Sequence, residues 1–172
     1  SHTRNVSHLA YELSGGGVGV FGAPRNRLRG NLNQQEAFDI GRERLRLLAE
    51  VSFDCNFVLA LEAAPREYGG DFLENTIECA DMVSAVDHPG LRLHLDTGCV
   101  QISEKSDFAS PFLFSREFAH VHLSMPYLEP ISSGDTTLIK SICSVLAQNK
   151  YTGWLAIEMR ETENYIKDIL GS

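Results

Sequence analysis

Apolar positions along the chain change period several times, and each change marks an element. Val6, Leu9, Ala10 and Leu13 recur at helical spacing within residues 1–14, and the glycines at 15–17 end that helix. Residues 18–22 then read as a strand closed by Gly22 and Pro24, followed by a loop, "PRNR", that carries Arg25 and Arg27. From 34 to 52, Ala37, Ile40, Leu45, Leu48 and Ala49 lie among charges as on an amphipathic helix. The alternation continues with strands at 57–62, 91–96, 118–124 and 154–158 and helices at 73–86 and 136–149. Parallel neighbours need long crossovers, so this order predicts a parallel α/β sheet. No linker or low-complexity stretch divides residues 1–172, which predicts a single domain.

Within "LRLHLD", Leu91, Leu93 and Leu95 share one face and Arg92, His94 and Asp96 the other. The same parity puts Glu62, Asp96, His122 and Glu158 at the C-terminal ends of the last four strands. One layer below come Ala60, His94, His120 and Ala156, and then Val58, Arg92, Phe118 and Trp154, so a single register is expected to align all four. A single acidic residue at a strand end is ordinarily a helix cap or solvated. Four ionisable residues in the same position on consecutive strands point instead to a site, at the end where α/β barrels place theirs. Three carboxylates and one imidazole suit a divalent ion such as Mn²⁺, Mg²⁺, Co²⁺ or Zn²⁺, and sharing it relieves their mutual repulsion. His94 and His120 start two residues deeper and are expected to hydrogen-bond the ligands rather than bind the ion. Trp154 is expected to pack the barrel floor.

Composition narrows the function classes. The 172 residues are 43% hydrophobic with a formal net charge of -8, which argues against a nucleic-acid partner because phosphate backbones recruit dense Lys and Arg. No apolar run approaches the roughly 20 residues of a membrane span, and the N-terminus has no basic segment followed by an apolar one. Neither a membrane nor a secretory route is expected. Cys55, Cys79, Cys99 and Cys143 form no CxxC pair and read as reduced thiols of a cytoplasmic protein, each a small buried hydrophobe. Cys99 stands apart by following Asp96 so closely.

The quartet, together with "VFGAPRNR", "LEAAPREYGGDF" and "GDTTLIKSICSVLAQNKYTGWLAIE", resembles the xylose-isomerase-like TIM-barrel superfamily of sugar (phosphate) isomerases and epimerases. The resemblance covers nearly the whole chain. It implies a (β/α)8 TIM-barrel fold represented incompletely, by strands four to eight with their helices, leaving open edges that a longer chain or a second copy would cover. It further implies one divalent metal held by Glu62, Asp96, His122 and Glu158, and a small-molecule sugar or sugar phosphate as substrate. Glu62 and Glu158 would be the acid/base pair that moves a proton through an enediolate. Asp96 and His122 would serve mainly as ligands.

Some positions depart from the pattern. Cys99 stands where these enzymes often carry a histidine that touches substrate or a further metal, and Leu128 stands where ketose epimerases tend to carry arginine. A polar substrate other than a simple ketohexose is therefore expected. Tyr68 either contacts substrate from its loop or packs beneath it. Arg25 and Arg27 either hold a phosphate or carboxylate or are solvated. Two rivals accompany the isomerase/epimerase reading: a degenerate barrel that binds metal or sugar without turnover, and an apurinic-site endonuclease. For the latter, Asp135 is placed as an extra ligand, but Thr137 occupies an expected histidine position.

Overall fold

The computed structural model describes residues 2–104, 110–114, 116–163, 166 and 169. Five parallel strands form one sheet in chain order: β1 (Gly17–Phe21), β2 (Phe57–Leu61), β3 (Leu91–Asp96), β4 (Phe118–Leu123) and β5 (Leu155–Ile157). Helices α1 (His2–Ser14), α2 (Gln34–Phe53), α3 (Thr76–Val86) and α6 (Thr137–Gln148) match the predicted elements. The short helices α4 (Thr97–Ser103) and α5 (Ser110–Leu113) arise where no apolar period is sustained. Strands β1 and β4 are three steps apart in the sheet, yet bring Cα atoms within 8 Å of each other. Neighbouring strands are spaced ~4.8 Å apart, so only a strongly curled sheet allows this approach. The result is a curled half-barrel with helices, an incomplete TIM barrel.

Parity along the strands sorts the core. Leu59, Leu61, Leu91, Leu93, Leu95 and Val121 form a continuous buried cluster with Leu45 and Ala49 of α2, Met82 and Val86 of α3, and Ile142 and Leu146 of α6. Each fully buried leucine contributes about 1.5–3 kcal/mol of transfer free energy, and together they fasten the helices to the outer face. Side-chain caps define where two helices begin. Asn33 and Glu36 form a reciprocal capping box at α2, and Asn75 accepts from Glu78 N at α3, which starts that helix at Thr76 rather than at 73. Ser7 on α1 meets Ser52 on α2 through a buried hydroxyl contact of 3.3 Å.

Three expectations about the inner face are corrected. First, the strand-end quartet does not share one register. Ala60 pairs with Arg92, which sets Glu62 level with His94, whereas Asp96 pairs with His122 and His122 pairs with Ala156. Strands that curl toward a closed barrel are staggered, so successive strand ends climb relative to one another. Second, a register shift between Leu93 and His94 sets Phe118 opposite Leu93, and Phe118 belongs to the buried cluster with Ile142 and Leu146. Third, Trp154 packs no floor, because it precedes a strand with no neighbour on its far side among the described residues and is 79% exposed. The other edge strand is open as well, with Val18 and Val20 both exposed.

Candidate metal centre

Glu62 directly follows β2, Asp96 ends β3, His122 lies on β4 and Glu158 directly follows β5. One potential ligand atom from each lies within 4.8 Å of all the others. His122 Nδ1 is at their centre, 3.0 Å from Glu158 Oε2, 3.9 Å from Asp96 Oδ2 and 3.9 Å from Glu62 Oε1. That nitrogen is buried, and its nearest described partner is the Glu158 carboxylate, in an ion-pair contact. A buried imidazole nitrogen surrounded by three carboxylates is the arrangement a divalent cation satisfies. The four side chains thus form a candidate site for one divalent ion.

Asp96 is the most firmly held of the four. Its Oδ1 accepts from Cys99 N at 2.6 Å, capping α4, and its Oδ2 accepts from Ser124 Oγ at 2.7 Å. Ser124 is itself braced: its Oγ accepts from Gly98 N at 2.9 Å, its N donates to Thr97 Oγ1 at 2.8 Å, and Thr97 Oγ1 donates to Ser124 O at 2.6 Å. Ser124 and Thr97 are both fully buried. Burial raises the Asp96 carboxyl above its ordinary range, and the bonds from Cys99 N–H and Ser124 O–H work in the opposite direction. Burial also lowers His122, but the neighbouring Glu158, Glu62 and Asp96 outweigh it and raise that imidazole. His122 in turn holds Glu158 below the usual carboxylate range.

Glu62 is positioned from its backbone outward. Its N–H donates to Phe21 O at 3.2 Å, and its carbonyl accepts from the Arg27 guanidinium. Arg27 is thus turned beneath the loop onto main chain, and the residues lining the cavity above the quartet include Arg25 but not Arg27. The Glu62 carboxylate leans over Gly22, where a Cβ would stand 2.1 Å from Oε2. A side chain at position 22 would push the Glu62 carboxylate out of this position.

A cavity of about 490 Å³ opens above the quartet, and it borders Glu62, Asp96 and Glu158. Tyr68, Arg25 and Cys99 all line it. Tyr68 lines the cavity, its hydroxyl accepts from Tyr127 N at 2.7 Å and its ring meets Tyr127 edge-on. Burial pushes its phenol up to about 12. Cys99 is buried, and burial together with Asp96 raises its thiol, so it faces the cavity as a small apolar group. Arg160 and Asn26 also line the cavity. Arg160 lies two beyond Glu158 and Ser124 two beyond His122, where parity could have identified both as inward-facing. Three lining residues, Ala23, Tyr127 and Leu128, have φ of 57°, 61° and 58°. Non-glycine residues in that region cost about 1–3 kcal/mol each and concentrate at functional sites.

His94 faces inward as expected, 1% exposed, with Nε2 3.3 Å from Glu62 Oε1, and His120 stacks on it with ring centroids 5.3 Å apart. Neither makes the expected hydrogen bond: both His94 nitrogens and His120 Nδ1 lack one among the described residues. His88 accepts from Gly90 N in its turn. Asp135 is not part of the quartet, because its Oδ1 accepts from Thr137 N at 2.8 Å at the start of α6. No helix among the described residues is long and apolar enough to cross a membrane.

Comparison with known proteins places this geometry in context. Residues 4–171 match the family model described as xylose isomerase-like TIM barrel. No curated protein matches the chain. Among solved structures, 3-keto-D-glucoside 4-epimerase from E. coli superposes with a TM-score of 0.81 at 18% identity, over 97% of this chain and 67% of that one. D-psicose 3-epimerase from Clostridium cellulolyticum H10 gives 0.77 at 19% identity, over 98% of this chain and 59% of that one. A family 2 AP endonuclease from Brucella melitensis gives 0.73 at 19% identity, over 83% and 56%. The chain thus spans between about half and two thirds of the length of these neighbours.

Proposed function

The chain belongs to the xylose isomerase-like TIM-barrel family, and we propose that it forms the metal-binding half of a sugar or sugar-phosphate isomerase or epimerase. The observation that carries this reading is the convergence of Glu62, Asp96, His122 and Glu158 beneath a polar-rimmed cavity. Several of the solved neighbours are epimerases of ketoses or keto-sugars, which supports the same class.

A divalent ion held by the quartet supplies Lewis-acid polarisation of a neighbouring carbonyl and hydroxyl. The rest is work for the chain's own residues. Glu158, held anionic beside His122 and open to the cavity, accepts the proton alpha to the substrate carbonyl. The electron pair moves onto the carbonyl oxygen, giving an enediolate. Glu62, across the site, returns a proton to the opposite face for epimerisation or to the adjacent carbon for isomerisation. Asp96 and His122 hold position, and Ser124 and the α4 N-terminus keep the Asp96 carboxylate aimed inward. Arg25 and Arg160 on the cavity rim supply positive charge for a phosphate or carboxylate substituent, which fits a substrate class broader than neutral ketohexoses. Asp135, engaged by the Thr137 N–H and hydroxyl, and a net charge of -8 both disfavour DNA cleavage.

The test is carbon-bound proton exchange. Sugars and sugar phosphates are incubated in D₂O with the Mn²⁺-loaded chain and followed by NMR. Deuterium incorporation alpha to a carbonyl, lost in Glu158→Gln, is expected. Tight Mn²⁺ binding with no exchange in any of them would support the rival reading, a barrel that binds without turnover.

A further inference from the structure

Beneath the quartet lies a second group of potential ligands, of which the proposed reaction uses only His122. His94 on β3 and His120 and His122 on β4 offer nitrogens that all lie within 4.8 Å of one another. Their rings are packed together, with centroids 5.3 Å apart for His94–His120, 4.4 Å for His94–His122 and 5.0 Å for His120–His122. The interior of the half-barrel thus holds three imidazoles in mutual contact.

Such a cluster is expensive unless something satisfies it. A neutral imidazole carries one donor and one acceptor. His94 is 1% exposed, and neither of its nitrogens has a hydrogen-bond partner among the described residues. His120 Nδ1 is also buried and unpartnered among the described residues, whereas His122 Nδ1 lies 3.0 Å from Glu158 Oε2. Leaving one such group dry and unpaired costs about 1–3 kcal/mol, and here three nitrogens of two residues lack a hydrogen bond. Packing alone does not explain this, because an apolar side chain at position 94 would fill the space without the penalty. Glu62 adds the remaining ingredient, since its Oε1 is 3.3 Å from His94 Nε2 and brings negative charge to the imidazoles' edge.

We propose that His94, His120 and His122 form a second metal position, distinct in chemistry from the quartet and suited to a nitrogen-preferring ion such as Zn²⁺, Co²⁺ or Ni²⁺. The quartet offers three carboxylates and accepts hard ions. Three imidazoles select borderline ions, for which nitrogen is the better donor. Nitrogens bound to one zinc stand ~3.3 Å apart, so the rings draw together by side-chain rotation when the ion enters. His122 belongs to both groups, so occupancy of one position changes affinity at the other. The proposal stands on the three-histidine cluster and does not require the sugar chemistry above.

Metal stoichiometry and spectroscopy test it on the full chain. Chelator-stripped protein is loaded with Zn²⁺, Co²⁺ or Mn²⁺, desalted and measured by elemental analysis, and Co²⁺ loading is followed by its visible d–d bands. Two Zn²⁺ or Co²⁺ per chain but one Mn²⁺ are expected. His120→Gln, at a half-buried position that tolerates an amide, should remove one Zn²⁺ and the more intense Co²⁺ bands while leaving Mn²⁺ stoichiometry at one. His94→Leu, which fills the same space, should do the same and keeps the test open if one variant folds poorly. A single Zn²⁺ that Glu158→Gln weakens and His120→Gln does not would overturn the second position and leave the quartet standing. A single Zn²⁺ lost in His120→Gln but kept in Glu158→Gln would uphold the histidine position and overturn the quartet instead.

Discussion

Removing the Ser124 hydroxyl is the sharpest probe of how the metal centre is built. Ser124→Ala deletes one methylene-borne oxygen that donates to Asp96 Oδ2 at 2.7 Å and accepts from Gly98 N at 2.9 Å. Both bonds are buried, and one of them ends on a carboxylate. A hydrogen bond to a charged group contributes about 1.5–3 kcal/mol, and a stranded buried N–H costs about 1–3 kcal/mol. These terms overlap, because Gly98 N–H and Asp96 relax together, so the expected loss of metal-free stability is about 2–4 kcal/mol. Metal affinity should fall as well. Groups that orient a ligand are worth about 10–100-fold in affinity, and Asp96, relieved of Ser124, loses one of the two hydrogen bonds that aim its carboxylate. The loss should grow as pH falls, because the carboxyl, already raised by burial, rises further without its O–H donor and protons compete better. Mn²⁺ titration followed by the electron paramagnetic resonance of free Mn²⁺ reads the affinity, and urea unfolding in chelator reads the stability. Ser103→Ala, on the same helix but bonded to Cys99 O, is the control. Mn²⁺ affinity within threefold of wild type for a folded Ser124→Ala protein would refute the argument that Asp96 is oriented through this strap.

Other predictions use different parts of the site. Gly22→Ala should weaken Mn²⁺ binding at least tenfold with little change in circular dichroism, because the new Cβ would stand 2.1 Å from Glu62 Oε2; unchanged affinity would show that metal binding does not depend on the carboxylate position over Gly22. In chelator, the raised His122 contributes stability that is fully present below its unfolded value of about 6.5 and is lost as pH rises through its folded value. The lowered Glu158 contributes stability present above about 4.3 and lost as pH falls through its folded value. Urea midpoints from pH 4 to 9 should therefore pass through a maximum that His122→Gln flattens. Tyr68→Phe removes the bond from Tyr127 N and should cost about 0.5–1.5 kcal/mol in urea unfolding; equal stability would mean that the hydroxyl does not fasten the loop.

Much of the molecule was legible before any coordinates. Alternating periods fix strand and helix order because burial against a sheet face demands period two and burial of a helix stripe demands period 3.6. The strand-end residues Glu62, Asp96, His122 and Glu158 were visible because parity carries the inward face along a strand regardless of what lies beside it. Strand parity says nothing about stagger between strands, so the level of Glu62 with His94 and of Asp96 with His122 had to come from the curled sheet. The same is true of Trp154, whose exposure follows from an edge that no local pattern reveals. Ser124, Thr97 and Arg160 were missed for a related reason. Their roles depend on partners brought together across β3, β4 and the loop after β5, over separations that short-range spacing does not encode. Residue chemistry and parity thus determined which groups could form a centre. Only tertiary packing decided which are braced, which are stranded without partners, and that three histidines lie in contact beneath the carboxylates, because those outcomes depend on distances between chain-distant atoms.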